Sequence, residues 1–436
     1  MRTRLLSVTL LVATLLCLLV VGLYSLPPIH DRVAWRVQNV RTQIRHALDP
    51  PEQVVFVPQE QVDAIVQATL QALAPSVTPS PVPSLAPTLA GPTETPVPSP
   101  TPTLPPTPIP DRVTLTGITH EYQQMNNCGP ANLAMALSYW GWQGDQRATR
   151  AFLRPNFKDF DDKNVMPAEM VAFVETQTGF KALARFGGDL DLLKRLVAAG
   201  FPVMIEKGFQ PPKEDWMGHF ELVSGYDDGR RRLIAQDSYI MPDFPVPYED
   251  VTSGWWRDFN YAYLVVYPPE REAEVFSILG PQVDPLANYR YAAEKARQEI
   301  PNLSGRDLYF AWYNLGSSLV GLEDYAGAAQ AYDQAFIIYP QIPKPDRPWR
   351  MLWYQVGPYE AYYHTGRYQD LIALGNQTLN SVGGPVLEET FYWLGKAREA
   401  SGELEKAIAD YQKAAAIHPG STPALAELQR LGSGYP

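Results

Sequence analysis

The spacing of apolar residues divides the chain into stretches of different character. Residues 5–26 form an apolar run of 22 residues without a charge, and about 20 such residues are enough to cross the core of a bilayer. After this run, apolar residues recur every three or four positions with arginines between them, which is helical periodicity with a basic opposite face. The recurring residues are Val33, Val37, Val40, Ile44 and Leu48. The pattern predicts a transmembrane anchor over 1–28, followed by a juxtamembrane helical region over 29–74 that lies on an anionic membrane surface or pairs with a copy of itself.

Residues 75–110 have no such periodicity and consist mainly of proline, threonine and serine. They contain 14 prolines, one charge at Glu94 and no aromatic residue, so they cannot bury a core and are held near polyproline II. We expect a disordered linker with a reach of about 110 Å. A spacer of this composition after a membrane anchor is typical of a domain held away from a bilayer, so we expect a single-pass membrane protein whose body faces outside the cytoplasm. A signal peptide cleaved after Gly22 is the alternative to the anchor.

From Asp111 onward the chain has the patterns of a folded domain. Helical periodicity is present at 128–142, 167–178 and 189–199, and strand-like runs are present at 201–207, 219–226, 231–237 and 261–267. Helices that precede a mostly antiparallel sheet indicate an α+β domain. We assign this domain to residues 111–272.

Charge and composition exclude several classes of protein. The chain has 47 acidic and 36 basic residues and a net charge of −11, which is not the electrostatic footprint of a nucleic-acid-binding protein. Its two cysteines, Cys17 and Cys128, are too few for a disulfide scaffold or a cysteine-rich zinc site. Residues 158–164 are acidic but lack the D-x-[DN]-x-[DN]-G spacing of a calcium loop. We therefore expect no metal and no cofactor.

Cys128 is the residue with the strongest chemical signal. It begins a predicted helix, with Asn126 or Asn127 as the cap and Pro130 in the first turn, where a missing N–H costs nothing. At a helix N-terminus the macrodipole stabilises a thiolate and lowers the pKa of the thiol. The sequence therefore predicts a nucleophilic cysteine. The alternative is a buried structural cysteine, which belongs more naturally on the apolar face of a helix.

A nucleophilic cysteine needs a base, and the domain contains only two histidines, His120 and His219. His219 begins a strand of a predicted hairpin whose three-residue loop, 227–229, has Gly229 in the left-handed position. That loop places His219 directly opposite Asp237, with Cβ atoms about 5 Å apart. Asp237 then orients the imidazole and stabilises its charged form. A solvated aspartate at a strand end is the alternative.

Two glutamines supply candidates for an oxyanion donor. Gln123 and Gln124 precede Cys128 by five and four residues. A side-chain amide from this loop, together with the backbone N–H of Cys128, is able to bind a developing oxyanion. Surface positions without a catalytic role are the alternative for both residues.

These segments resemble the C39-like cysteine peptidases, which have the papain fold and include the bacteriocin-processing type. The resemblance rests on HEYQQMNNCGPANLAMALSYWG, GHFELVSGY and AQDSY, and covers residues 112–270. It implies that Cys128 is the nucleophile, His219 the general base and acid, and Asp237 the orienting residue. It also implies an oxyanion donor at Gln123. The bacteriocin-processing members carry this glutamine one residue further from the cysteine, at the position that Tyr122 occupies here, and Gln123 is nearer to that position than Gln124.

The last third of the chain contains an internal repeat. One set of positions is Trp312, Leu315, Gly316, Ala328, Tyr332, Ala335 and Pro340, and the same offsets return 79 residues later at Phe391, Leu394, Gly395, Ala407, Tyr411, Ala414 and Pro419. The pattern resembles tetratricopeptide repeats, with a degenerate repeat over 352–384 and a half repeat over 292–301. It implies an all-α repeat module over 280–436 whose concave groove binds a protein or peptide. A structural appendage that packs on the peptidase domain is the alternative.

Together the patterns predict a membrane-attached cysteine peptidase that cleaves peptide bonds of a peptide or protein substrate and binds a protein partner through its repeats. Two other functions use the same residues. One is an inactive peptidase fold that only binds peptides or proteins, and the other is an acyltransferase that passes the acyl group from Cys128 to an amine.

Overall fold

The computed structural model describes residues 2–24, 26, 40, 44, 56–59, 109–155, 164–211, 214–381, 387–420 and 422–434. Most of the predicted juxtamembrane region, nearly all of the proline-rich linker and most of the acidic loop at 158–164 lie outside these residues.

The N-terminal run forms a helix, α1 (Arg2–Tyr24). Within the residues that the structure describes, no helix combines the length and the hydropathy that crossing a membrane requires. The predicted transmembrane helix is therefore not supported.

Residues 111–279 form an antiparallel sheet with helices on both faces. The helices are α2 (Cys128–Tyr139), α3 (Gln146–Leu153), α4 (Pro167–Gln177), α5 (Leu190–Ala198) and α6 (Glu272–Leu279). The strands are β1 (Arg112–Thr114), β2 (Lys181–Arg185), β3 (Val203–Phe209), β4 (Met217–Asp227), β5 (Arg232–Gln236), β6 (Phe244–Pro247) and β7 (Tyr263–Tyr267). Their order is β2-β7-β3-β4-β5-β6, and β1 pairs with β4 beyond the end of β3. The architecture agrees with the predicted α+β class.

Alternating residues of the central strands enter two separate cores. Met204 and Leu264 face α2 and α4, whereas Val203 and Val265 face α5 and α6. Because successive side chains of a strand point to opposite faces, a sheet covered on both sides reads as a nearly continuous apolar run. This explains why residues 201–205 and 261–267 are apolar throughout.

The hairpin between β4 and β5 differs from its prediction. The turn is a short helical turn, Asp228–Arg230, and Arg231 rather than Gly229 takes the left-handed conformation, with φ 48°. The side chain of Asp227 fixes this turn by accepting a hydrogen bond from the backbone N–H of Arg230. As a result Tyr226 is opposite Leu233 and not Arg230, a shift of three residues.

A β-bulge then corrects part of this shift. The register changes between Val223 and Gly225, so that Leu222 is opposite Gln236 and not Ile234. The net shift beyond the bulge is two residues. An even shift leaves each side chain on its predicted face, so Asp237 becomes a diagonal neighbour of His219 and not the directly opposite residue.

Between residues 285 and 430, the elements that the structure describes are helices joined by turns and loops. Its helices are α7 (Pro285–Glu299), α8 (Gly305–Val320), α9 (Tyr325–Ile338), α10 (Gly357–His364), α11 (Tyr368–Asn380), α12 (Glu388–Ala400), α13 (Leu404–Ile417) and α14 (Thr422–Arg430). A Cβ on Gly316 would lie 2.7 Å from the ring of Tyr332, and one on Gly395 would lie 2.6 Å from that of Tyr411. The repeated glycines therefore allow the two helices of each pair to approach closely.

The repeat helices and the α+β region share one core. Trp216 and Phe259 belong to the same apolar cluster as Tyr309 and Phe310 of α8. At this contact the carboxylate of Asp258 accepts a 2.8 Å hydrogen bond from the indole N–H of Trp216 and pairs with Arg306 of α8. Burial raises the pKa of Asp258 to about 7, although the charge of Arg306 opposes this.

Candidate active site

The loop before α2 is held by one side chain of α3, Gln146, and by Arg154, the residue that follows this helix. Gln146 accepts hydrogen bonds from the backbone N–H of Gln124 and from the side chain of Asn127, and donates one to the backbone carbonyl of Tyr122. The buried Arg154 donates to the carbonyl of Asn126 over 2.7 Å. These contacts fix where α2 begins and therefore fix the position of Cys128.

Asn127 occupies the N-cap position of α2, but its side chain does not cap the helix. It is buried and donates to Gln146, 2.8 Å away. Asn126 has a left-handed backbone, with φ 48°, a conformation that asparagine tolerates better than most residues. The two asparagines thus shape the turn before the helix, which corrects the predicted side-chain cap.

Cys128 is the first residue of α2, and its thiol lies close enough to His219 for the two groups to shift each other's pKa. Burial opposes ionisation, but the hydrogen bond and charge of His219 and the backbone N–H groups of Phe220 and Gly129 together lower the pKa of the Cys128 thiol. The group is partly exposed and forms no disulfide. An accessible thiol with a lowered pKa has the properties of a nucleophile.

The imidazole of His219 also reaches Asp237. Its Nε2 lies 3.1 Å from Oδ2 of Asp237, and both residues are buried. Burial favours the neutral imidazole, but the charge and hydrogen bond of Asp237, with those of Cys128, raise the pKa of His219 to about 10. The arrangement favours an imidazolium between a thiolate and a carboxylate.

A turn that follows β5 orients the carboxylate of Asp237. Its Oδ1 accepts hydrogen bonds from the backbone N–H of Tyr239, at 2.7 Å, and of Ile240, at 2.8 Å. Burial raises the pKa of Asp237, but the opposing charge and hydrogen bond of His219, the charge of Lys207 and the bond from Ile240 hold it at about 2. Asp237 is therefore ionised, with Oδ2 directed at His219.

Aromatic side chains fix the imidazole ring. Phe209 stacks on His219 with ring centroids 4.6 Å apart, and Tyr239 meets the edge of Phe209 at 5.3 Å. The hydroxyl of Tyr239 in turn donates to Glu214 over 2.9 Å. These contacts restrict rotation of the His219 ring and so maintain its hydrogen bond to Asp237.

Gln123 lies beside this group, and Ser238 fixes the orientation of its amide. The hydroxyl of Ser238 donates to Oε1 of Gln123 over 2.9 Å, and the backbone N–H of Gln123 donates to the carbonyl of Ser238 over 2.9 Å. Asn132 of α2 donates to the hydroxyl of Ser238 and to the backbone carbonyls of Cys128 and Phe220. Because Oε1 of Gln123 accepts this hydrogen bond, the side-chain NH₂ group is the part of the amide that is able to donate to another acceptor.

Gln124 has different partners. Its Oε1 accepts a hydrogen bond from Arg150, and its backbone N–H donates to Gln146. The structure thus distinguishes two glutamines that the sequence alone could not separate by their surroundings.

Three residues at this site were not predicted from the sequence. Asn132 and Ser238 form the hydrogen bonds that hold Gln123, and Glu206 of β3 lies close enough to Cys128 for the charge of Cys128 to affect its pKa. Burial, and then the negative charge of Cys128, raise the pKa of Glu206 well above its usual value. Ionisation of Glu206 is therefore disfavoured beside Cys128. Asn132 and Ser238 both lie within segments that carry the resemblance, which was the one signal available for them.

The described residues also contain a group that is able to hold a metal ion, formed by Glu169, Glu388 and His418. Its ligand atoms lie within 4.8 Å of one another. Nδ1 of His418 is 2.6 Å from Glu388, which is a hydrogen bond between the two side chains. No residue of the Cys128 site takes part.

Comparisons with known proteins place these regions in families. Residues 117–259 match the model of the Peptidase_C39 like family, and residues 311–341 and 388–420 match that of the tetratricopeptide repeat. A solved structure described as a C39-like peptidase from Bacillus anthracis covers 36% of this chain and 96% of its own, with 16% identity and a TM-score of 0.29. No curated protein matches the chain.

The chain therefore contains a C39-like peptidase-fold domain followed by tetratricopeptide repeats, which confirms both predicted resemblances. Tetratricopeptide repeats imply an interaction with a protein or peptide.

Proposed function

We propose that the C39-like domain is a cysteine peptidase that hydrolyses peptide bonds. The observation that carries the proposal is His219, which is hydrogen-bonded to Asp237 and lies close enough to Cys128 for the two groups to shift each other's pKa. Burying ionisable groups of this kind costs free energy that apolar residues would not cost. Their combination at the N-terminus of a helix gives a nucleophile, a proton carrier and a group that orients the carrier.

In the first half of the reaction, the Cys128 thiolate attacks the carbonyl carbon of the substrate and a sulfur–carbon bond forms. The oxygen becomes an oxyanion, which accepts hydrogen bonds from the side chain of Gln123 and from the backbone N–H of Cys128. The imidazolium of His219 gives its proton to the leaving nitrogen, and the carbon–nitrogen bond breaks. The amine leaves and an acyl-enzyme remains.

In the second half, water attacks the thioester carbonyl and His219 takes the proton of the water. The sulfur–carbon bond breaks, Cys128 leaves as a thiolate and the acid product departs. Asp237 stays ionised throughout, because its role is to orient His219 and to stabilise its positive charge.

The proposal is tested by digesting a peptide library with the full chain and identifying products by mass spectrometry. The wild-type protein is expected to produce new termini, and Cys128→Ala is expected to produce none. Absence of cleavage by the wild-type protein would contradict the proposal and favour a binding scaffold. Products that carry an added amine, when one is supplied, would favour an acyltransferase.

A further inference from the structure

A short segment that precedes the proline-rich linker lies in a groove of the repeat module. The side chain of Phe56 is only 6% exposed. Its ring meets the edge of Phe336 in α9 at 5.2 Å between centroids, and lies 6.2 Å from Tyr362 of α10. Other residues of this groove, here called the aromatic groove, are Tyr309, Tyr339, Trp349, Met351, Leu352 and Leu374.

The backbone of the segment has a polar contact at the end of the aromatic groove. The N–H of Gln59 donates to Oδ1 of Asp370 over 2.8 Å. Oδ2 of Asp370 is held by Arg367, which also pairs with Asp333. The acceptor is therefore in a fixed position before any ligand arrives.

Burial alternates along the segment. Phe56 and Pro58 are buried, whereas Val57 and Gln59 are exposed. The segment thus buries an aromatic side chain in the aromatic groove and a proline two residues later, and Asp370 accepts its main-chain N–H. An anchoring side chain combined with a main-chain hydrogen bond is a usual way to bind a short peptide.

We propose that the aromatic groove is a peptide-binding site and that its ligand is the segment Phe56–Gln59 of the same chain. This inference deepens the protein-binding role that the repeats imply, and it does not depend on the activity of Cys128. The ligand is a linear motif of the form Phe-x-Pro-x, bound in cis.

Chain connectivity favours binding in cis. Fifty-one residues join Gln59 to Asp111, and a covalent connection that is able to span two sites raises the effective concentration of a ligand above that of a separate peptide. Asp111 is itself held at the turn after β4, since its carbonyl accepts a hydrogen bond from the backbone N–H of Asp228 over 2.9 Å. A cavity of about 60 Å³ remains beside Phe56, so four residues do not fill the groove. A ligand that small binds weakly in trans and is retained by its connection.

Occupation of the aromatic groove changes how the body is connected to α1. With Phe56 bound, residues 25–55 connect α1 to the folded body, and with Phe56 released residues 25–110 do so. The connection is therefore 31 or 86 residues long. A competing peptide with the same motif would switch the chain from the short connection to the long one.

The test uses the full chain and a fluorescein-labelled peptide PEQVVFVPQEQV, which is residues 51–62. Phe56→Ala protein is expected to bind this peptide saturably in fluorescence anisotropy, because its groove is empty. Wild-type protein is expected to bind at least tenfold more weakly. Val57→Ala is the matched control, since Val57 is 49% exposed, and it is expected to behave as the wild type.

A second peptide with alanine in place of the phenylalanine is expected to bind none of the three proteins. Equal binding of the peptide by all three proteins, or no binding by Phe56→Ala protein, would overturn the proposal.

A measurement without any variant guards against a folding defect of Phe56→Ala. Saturating unlabelled peptide is expected to accelerate hydrogen exchange of residues 56–59 in the wild-type chain, because it displaces them, whereas the alanine peptide has no effect. Unchanged exchange with both peptides would contradict binding in cis.

Discussion

Nε2 of His219 lies 3.1 Å from Oδ2 of Asp237, although the two residues are not partners in the β4–β5 ladder. The turn shifts the register by three residues, which alone would place Asp237 on the opposite face of the sheet. The bulge at Ser224 reduces the shift to two and restores the face. The contact therefore depends on a turn and a bulge together.

The first prediction concerns the dependence of stability on pH. Burial opposes ionisation of Asp237, yet the charge and hydrogen bond of His219 help to lower the pKa of Asp237 from an ordinary 3.8 to about 2 in the folded protein. Its contribution to the free energy of unfolding is therefore fully present above about pH 4 and is lost as the pH falls toward 2. The pKa of His219 is raised from 6.5 to about 10, so its contribution is fully present below pH 6.5 and is lost as the pH rises toward 10.

Asp237→Asn removes the contribution of Asp237 and reduces that of His219, whose pKa is then raised only by Cys128. Between pH 4 and 6.5, urea unfolding is expected to show that the variant loses about 3 kcal/mol of unfolding free energy relative to the wild type. The difference is expected to be smaller below pH 4 and above pH 6.5. Asp191→Asn serves as the control, because the side chain of Asp191 is 71% exposed. A difference between wild type and Asp237→Asn that stays constant from pH 3 to pH 10 would contradict the coupling.

The second prediction separates Gln123 from Gln124. Gln123→Ala is expected to lower kcat by about 10²–10³ and to leave the rate of Cys128 alkylation unchanged, because the oxyanion forms only during the reaction. Gln124→Ala, whose side chain is bound to Arg150, is expected to change kcat much less. Steady-state kinetics on a peptide substrate checks both, and equal losses would contradict the assignment.

The third prediction concerns the glycine next to the histidine. A Cβ on Gly218 would lie 2.6 Å from the ring of Phe259 and 3.0 Å from that of Tyr354. Gly218→Ala is therefore expected to cost about 1–3 kcal/mol of unfolding free energy and to slow peptide cleavage, because the start of β4 carries His219. Gly179→Ala is the matched control, since nothing lies within 4 Å of its Cβ position. Equal urea midpoints for the two variants would contradict the prediction.

The fourth prediction concerns the contact between the two folded regions. Arg306→Ala removes the ion-pair partner of the fully buried Asp258 and is expected to cost about 3–5 kcal/mol at pH values above the Asp258 pKa of about 7, where this carboxylate is ionised. Arg297 is about half-exposed, so Arg297→Ala is expected to change the free energy of unfolding by less than about 0.5 kcal/mol. Urea unfolding of both variants checks this, and a similar small effect in both would show that the contact does not stabilise the fold.

The sequence predicted those features that depend on local patterns. Cys128 could be identified because a Gly-Pro pair follows it at the start of an apolar helix, and the repeats because their small residues recur at fixed offsets. In contrast α3, with the sequence QRATRAFL, has few apolar residues and was not predicted. Strand β2, KALAR, was also missed, because it is only five residues long and lies at the edge of the sheet.

Features that depend on contacts between distant residues could not be predicted. The left-handed residue of the hairpin is Arg231, a residue type that gives no signal for that conformation. Asp258 and Arg306 are polar residues in separate regions, and only the folded chain shows that they meet. The same holds for Phe56, whose groove is formed by helices about 300 residues later.

The most direct test of the central claim is the pH dependence of Cys128 alkylation by iodoacetamide in the full chain. Cys128→Ser measures the reaction of Cys17, which is subtracted. The account predicts a fast rate that persists well below the free-thiol pKa of about 8.5 and collapses in His219→Ala. A slow rate that follows an ordinary thiol and is unchanged in His219→Ala would contradict it.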